Sequence, residues 1–331
     1  MFLSIIIPMY NVERYIEKCL ISCENQDLPK DIYEIICVND GSSDRSLQIA
    51  EGVARQYPNI KILSYPNGGL SVARNNGLAQ ALGKYVFFID SDDYIADNCL
   101  GGLYKELLKK DVDLLCIQLV HVFEDGRAEK KQRRVCINQV TSGMNVFKRG
   151  FYPTMAQLSI YRKQMLIEHN LRFMPGIFHE DAEFMPRVLY YAKRVASYDA
   201  YIYYYLQRSG GECGSITSNY KLKNFIDAIK VCNSLYEFSK GFNQDLIMAY
   251  ANRVSQIIFT HIERMQSLNK KDQLLIMALL KENKHIFKFM KKAKLLKNVL
   301  AGYLFDFNIK LAISLFSIAF TVISLREHSS C

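Results

Sequence analysis

The 331-residue chain is 50% hydrophobic and 23% charged, a balance that excludes a largely disordered protein and supports one large core or a core with an appended subdomain. Its net charge of +9 is concentrated: residues 281–297, "KENKHIFKFMKKAKLLK", carry seven lysines and one glutamate, and the rest of the chain is nearly balanced. These lysines are not interleaved with arginines and no nucleic-acid-binding module is recognisable, so no nucleic-acid partner is expected. The nine cysteines are odd in number, scattered and free of CxxC pairs, which reads as reduced, mostly buried thiols.

In chain order, the opening "MFLSIIIPMYN" lacks a basic leading segment and a small-residue cleavage site, and its apolar run stops at Pro8. It reads as a first β-strand, and the expected location is the cytoplasm. "NVERYIEKCLISCENQ" follows with Ile16, Leu20 and Cys23 at helical spacing behind a capping Asn11. The alternation continues through strand "YEIICVND", helix "SSDRSLQIAEGVARQY", strand "IKILSY", helix "LSVARNNGLAQALG" and strand "KYVFFID". Apolar strands alternating with helices predict a mainly parallel α/β sheet with helices on both faces. Beyond residue 220 long helical patterns take over, "LKNFIDAIKVCNSLYEFSK" and "DLIMAYANRVSQIIFTHIERMQ".

Ligands of such sheets bind beyond the carboxyl ends of the strands. Polar clusters fall there at Tyr10 and Asn11, at "NDGSSD" (39–44) and at "DSDD" (90–93). Along an extended segment Asp90 and Asp92 share a side while Ser91 points away. Two converging carboxylates repel unless a cation lies between them, and hard oxygen donors favour magnesium or manganese held with a diphosphate. The structural alternative makes Asp92 or Asp93 the cap of a helix starting near Asp97. The loop "PNGGLSVARNNG" lets backbone approach a ligand closely, but neither GxGxxG nor GxxxxGK[ST] occurs, against a dinucleotide oxidoreductase or a P-loop NTPase.

The segments "SIIIPMYNVERYIEKCLISCENQ", "EIICVNDGSSDRS", "LSVARNNGLAQALGKYVFFIDSDD" and "FHEDAEF", in this order and spacing, resemble family two glycosyltransferases of the GT-A (Rossmann-like) fold, over residues 2 to about 215. The resemblance implies a catalytic domain over 1–218, with a nucleotide-binding half (1–95) and an acceptor-binding half (96–218), and a helical C-terminal region over 219–331. It implies that Pro8 and Tyr10 lie beside the nucleotide base and that Asp40 accepts from a uracil-type ring. Arg74 then matches the basic residue near the nucleotide, and Asp90 and Asp92 the ribose and metal contacts. Asp181 matches the base that deprotonates the acceptor hydroxyl, with Glu180 binding acceptor hydroxyls or orienting the loop. Arg208 is placed to swing onto the diphosphate, with Gly210, Gly211 and Gly214 permitting the motion. Relatives place a tryptophan before the acidic pair; this chain has none, leaving Phe178 and Phe184 to shape the acceptor subsite.

Bland readings stand beside these. Asp44 suits a helix cap, Arg74 a solvated helix face, and Glu180, Asp181 and Glu183 the acidic first turn of a helix. His179 is either a ligand or an ordinary hydrogen-bonded side chain. The implied activity is inverting, metal-dependent (Mn or Mg) transfer of one sugar from a nucleotide-sugar, of UDP type, to a saccharide or lipid-linked glycan. A nucleotidyltransferase would need a basic, glycine-rich loop where "PMYNVERY" stands, and a non-catalytic nucleotide-binding scaffold would not need the acidic clusters. Processive synthases carry QxxRW, which is absent. Residues 311–325, "LAISLFSIAFTVISL", are uncharged but short for a span. With the preceding lysines they read as a peripheral contact to the inner face of the cell membrane, or else as a buried terminal helix.

Overall fold

A computed structural model describes residues 1–131, 139–150, 153–208 and 220–316. Its first part alternates as expected: β1 (Leu3–Met9), α1 (Ile16–Glu24), β2 (Tyr33–Asp40), α2 (Ser46–Ala54), β3 (Ile60–Tyr65), α3 (Leu70–Gln80) and β4 (Tyr85–Phe88). Then follow β5 (Tyr94–Ile95), α4 (Leu100–Lys110), β6 (Leu114–Phe123), β7 (Ala128–Lys131), α5 (Gly143–Arg149), β8 (Ser159–Arg162), α6 (Lys163–Glu168), α7 (Glu180–Tyr191) and β9 (Val195–Gln207). The sheet order is β3-β2-β1-β4-β8-β6-β9-β5, with β7 paired to β6. Strands β3, β2, β1 and β4 are parallel neighbours, as are β6 and β9, while β8, β5 and β7 pair antiparallel.

Both faces of the parallel half are covered. Ile5, Ile7, Met9, Ile35 and Cys37 belong to one apolar cluster with Ile16, Cys19, Leu20 and Cys23 of α1 and Ala50 and Val53 of α2. On the opposite face α3 lies so close that a Cβ at Gly77 would come within 2.4 Å of Ile6 Cγ2. Period-two alternation buries both side-chain sets of β1, whose seven residues are all inaccessible. Pro8 is tolerated in this central strand because even-numbered residues of β1 turn their polar backbone groups toward β4, where Ile6 O accepts from Ile89 N. The β1–β4 ladder ends at Ile6 and Phe88, so the missing N–H falls beyond it.

Helix boundaries depart from the sequence expectation. Asn11 does not cap α1; it sits at φ 49° and its Oδ1 accepts from Ser43 N at 2.8 Å. Helix α4 is capped by neither Asp92 nor Asp93 but from a distant loop: Gln26 Oε1 accepts from Cys99 N and Leu100 N, and Asp27 Oδ1 from Gly101 N. Side chains remote in sequence thus satisfy the orphan amides of its first turn.

The chain divides into two compact units, one of Met1–Gly176 with Glu180–Cys213, the other of Ile177–His179 with Gly214–Cys331. The boundary expected at 218/219 lies outside the described residues. The second unit is helical: α8 (Leu222–Phe238), α9 (Gln244–Arg264), α10 (Lys270–Glu282), α11 (Lys284–Met290) and α12 (Leu296–Phe307). Within it Asp227 is fully buried and accepts from Phe178 N, Lys223 and Lys230, which together hold its carboxyl below the usual range against the cost of burial. His179 packs its ring against His261 at 4.7 Å, and His261 Nδ1 bonds Tyr220 Oη at 2.8 Å. The six cysteines among the described residues are free thiols, all but Cys99 buried.

Candidate active site

The loops after β1 and β2 are stitched together. Asn11 N donates to Ser42 Oγ, Val12 N to Ser46 Oγ and Glu13 N to Asp44 Oδ2. Asp44 also accepts from Ser46 N and Oγ; against the cost of burial these bonds hold its carboxyl low, and they tie the start of α2 to the loop after β1. Tyr10 is half exposed at the rim, whereas Pro8 is buried within β1. Asp40, at the end of β2, is only 4% exposed. Its two carboxylate oxygens accept from Gly68 N and Gly69 N at 2.8 Å each, and Asn67 donates to its carbonyl. Asp40 therefore moulds the "PNGG" loop whatever else it binds. Gly41 is required beside it: φ is +70° and a Cβ would lie 2.8 Å from Asn67 N.

The aspartates at 90–93 do not continue β4. The strand stops at Phe88, and Asp93 N closes a turn onto Asp90 O, so strand alternation does not set their directions. Tertiary partners do. Asp93 is buried and structural, accepting from Tyr203 Oη at 2.5 Å and Leu206 N at 2.8 Å. Burial and its neighbours Asp92 and Asp90 push its proton affinity well up. Asp92 is 18% exposed, pairs with Arg208 at 2.8 Å, and is pushed up by burial and Asp90 against the pull of Arg208. Arg208 also lies over the Tyr15 ring at 5.7 Å. A cavity of about 430 Å³ opens here, lined among others by Tyr15, Lys18, Asp92, Tyr94 and Phe123.

Arg74 is the hub. Far from being a solvated helix residue, it is 0% exposed and donates to Asp90 Oδ1 at 2.7 Å and Glu180 Oε1 at 2.7 Å, with Asp181 Oδ1 at 3.5 Å. Its guanidinium lies 5.0 Å from the Phe173 ring centroid. A buried cation is tolerated only when paired, and these carboxylates raise its already high proton affinity further, against the cost of burial. Residues separated by about a hundred positions meet here because α3 presents Arg74 beneath the first turn of α7. The acidic start of α7 serves both the helix terminus and the cluster. Glu183, by contrast, is buried against Arg187 within the helix.

Asp181 is pushed up to about 8, first by burial and then by Glu180, with Arg74 opposing. A carboxylate with proton affinity near neutrality can take and release a proton at working pH. Sequence reading missed Gln157, which lies in a short 3₁₀ turn (Ala156–Leu158), is 3% exposed and donates to Asp90 Oδ2. No charge or periodicity marks it. Phe184 does not line a subsite: it is fully buried, stacked on Phe173 at 4.0 Å. Gly210, Gly211 and Gly214 lie outside the described residues.

Among the described residues no group of three or more His, Cys, Asp or Glu is disposed to hold a metal ion by itself. Asp90 and Asp92 are hard oxygen donors, already engaged by Arg74 and Gln157 and by Arg208 respectively, and burial together with the nearby Asp90 raises Asp92. That donor set suits a cation completing its shell with substrate oxygens and water.

The family model for glycosyl transferase family 2 matches residues 4–170. YibD, a glycosyltransferase of Escherichia coli K12, is 28% identical over 281 residues, covering 82% of this chain and 81% of that protein. A poly(ribitol-phosphate) beta-glucosyltransferase of Bacillus spizizenii is 32% identical over 219 residues, 65% of this chain but only 34% of the longer relative. Among solved structures, Staphylococcus aureus TarS 1–349 in complex with UDP-GlcNAc superposes with a TM-score of 0.76 at 21% identity, covering 97% of this chain and 92% of that one. The fold is thus the GT-A α/β fold with a helical C-terminal region, and the chain belongs to glycosyl transferase family 2 and is a glycosyltransferase.

Proposed function

We propose that the protein moves one sugar, with inversion, from a nucleotide-sugar of UDP type to a saccharide or lipid-linked saccharide, with magnesium or manganese as cofactor. The observation that carries this reading is the Arg74 cluster, in which one buried guanidinium joins Asp90 to Glu180 and Asp181. The UDP-GlcNAc bound by the similar TarS structure supports the donor type. Tyr10 and Asp40 border the base, with Pro8 supporting the strand end beneath them. Asp90 would contact the ribose, and Asp92, with Asp90 beside it, would hold the cation. When bound, the cation offsets charge developing on the leaving diphosphate. Arg208 leaves Asp92 for the diphosphate.

Asp181 takes the proton from the acceptor hydroxyl while that oxygen bonds to the anomeric carbon, and the bond to the diphosphate oxygen breaks on the opposite face. Glu180 accepts from acceptor hydroxyls, and Arg74 fixes both acids in place. No helix among the described residues is long and apolar enough to cross a membrane, and contact with the inner face of the cell membrane is proposed as peripheral.

The test is thermal unfolding with UDP in the presence of manganese, magnesium or chelator. Ligand at about 100 times Kd stabilises by about 2.7 kcal/mol, and this stabilisation should require the metal. Equal stabilisation in chelator removes the metal role from Asp92, and none under any condition removes the donor assignment.

A further inference from the structure

Helix α12 is apolar on two opposite sides. Asn298, Ala301, Gly302 and Phe305 form its buried side, and Phe305 stacks on Phe287 of α11 at 5.1 Å. The helical residues 309–316, which follow the extended Asn308, bury Ile309 and Ala312, 5% and 0% exposed. The other side of α12 carries Leu296, Leu300, Tyr303 and Phe307, spaced three to four residues apart, as one helix face requires; beyond Asn308, whose backbone is extended, the next helical segment adds Leu311 and Leu315. All six are exposed, Phe307 by 83% and Leu296 by 71%.

A helix on a water-facing surface buries one stripe and turns a polar face outward. Here the outward face is apolar, and the charged residues of the segment are displaced to its margins. Lys297 and Lys310 flank the row, and Asp306 is neutralised by Lys291 at 2.6 Å. From 281 to 316 the lysines at 281, 284, 288, 291, 292, 294, 297 and 310 face only Glu282 and Asp306 as acids.

We propose that this side of α12 and its continuation lies flat on a membrane surface rich in anionic lipid. Phe307 and the leucines enter the boundary between headgroups and acyl chains, and the lysines lie over the headgroups. Single exposed leucines are ordinary, but a contiguous apolar row marks an interaction surface. An apolar row with lysines along its edge has the composition of an interfacial helix, and each lysine near an anionic surface adds to the attraction. Interfaces between proteins are depleted in lysine, so the charge favours lipid over a protein partner. The row lies largely ahead of the uncharged stretch 311–325 that the sequence singled out, and residues 317–325 lie outside the described residues. The inference deepens the proposed use of a lipid-linked acceptor and rests on that reading for its purpose.

The experiment is vesicle co-sedimentation of the full chain, with phosphatidylcholine alone or mixed with phosphatidylglycerol, and UDP binding measured on the same samples. Binding should require phosphatidylglycerol and weaken with salt. Phe307→Ser with Leu300→Ser should weaken it at least tenfold by removing buried apolar area. Lys292→Gln with Lys294→Gln and Lys297→Gln should do the same. These side chains are exposed, so UDP binding should be unchanged in both variants. No vesicle binding by the full chain, or equal binding by the Phe307 and Leu300 variant, overturns the proposal. So does self-association that this variant abolishes without vesicle binding, which would make a second copy the occupant, or vesicle binding that appears only after removal of residues 317–331, which would make the chain's own end the cover. Vesicle binding without UDP binding sinks the donor reading and leaves this one standing.

Discussion

Replacing Arg74 by methionine removes a fully buried guanidinium while keeping much of its apolar stem, and it leaves Asp90, Glu180 and Asp181 facing one another. Removing one partner of a buried ion pair costs about 3–5 kcal/mol because the remaining charge is uncompensated. That cost should depend on pH. Asp181 is already raised to about 8 while Arg74 pulls it down, so losing Arg74 raises it further. A carboxyl whose folded pKa exceeds its unfolded value retains a proton that the unfolded chain releases. Its contribution to stability is therefore complete below about pH 4 and is lost as pH rises through the folded pKa, at about 1.4 kcal/mol per unit. Urea denaturation of wild type and Arg74→Met should show a stability gap that is nearly constant between pH 5 and 7, where both folded forms keep the Asp181 proton, and that widens from pH 7 to 9, where wild type releases it and the variant does not. A loss below about 1 kcal/mol, or a gap that does not change with pH, would refute the view that Arg74 is the counter-charge of this cluster.

Asp181→Asn should lower turnover by about a hundredfold to ten-thousandfold with donor affinity unchanged, whereas Glu180→Gln should act mainly on acceptor affinity. Steady-state transfer across an acceptor series, with donor binding by calorimetry, separates the two, and loss of donor binding in Asp181→Asn would move that residue to the metal. Gly77→Ala forces a methyl against Ile6 and should cost about 1–3 kcal/mol in a denaturation series; a neutral result would show that α3 shifts freely on the sheet. Burial, with His179 and Arg264, holds His261 down to about 3, so its neutral form contributes stability that is intact above pH 6.5 and lost as pH falls toward 3. At pH 5 this amounts to about 2 kcal/mol relative to neutrality, and His261→Gln should flatten the stability profile between pH 7 and 5.

The order of strands and helices was legible in the sequence because it follows from short-range physics. Uninterrupted apolar runs make strands buried on both faces, three- to four-residue spacing makes helices, and acidic and glycine-rich loops gather where strands end. The same local signals marked Asp40, Asp90, Asp92, Glu180 and Asp181 as candidates. They could not divide labour among neighbouring aspartates. Asp93 became structural only because Tyr203 and Leu206 bring donors to it from β9, whereas Asp92 remains partly exposed and pairs with Arg208.

Nor could they show that Arg74 is buried, that Gln157 braces Asp90, or that Gln26 and Asp27 cap α4. Burying a charge or an orphan amide demands a partner, and which partner arrives depends on how the sheet and helices pack, over separations of 16 to 106 residues. The direction faced by α12 was hidden for a related reason. A helix apolar all round announces that it avoids water, but only the packing of α11 against one side decides which residues are left outside.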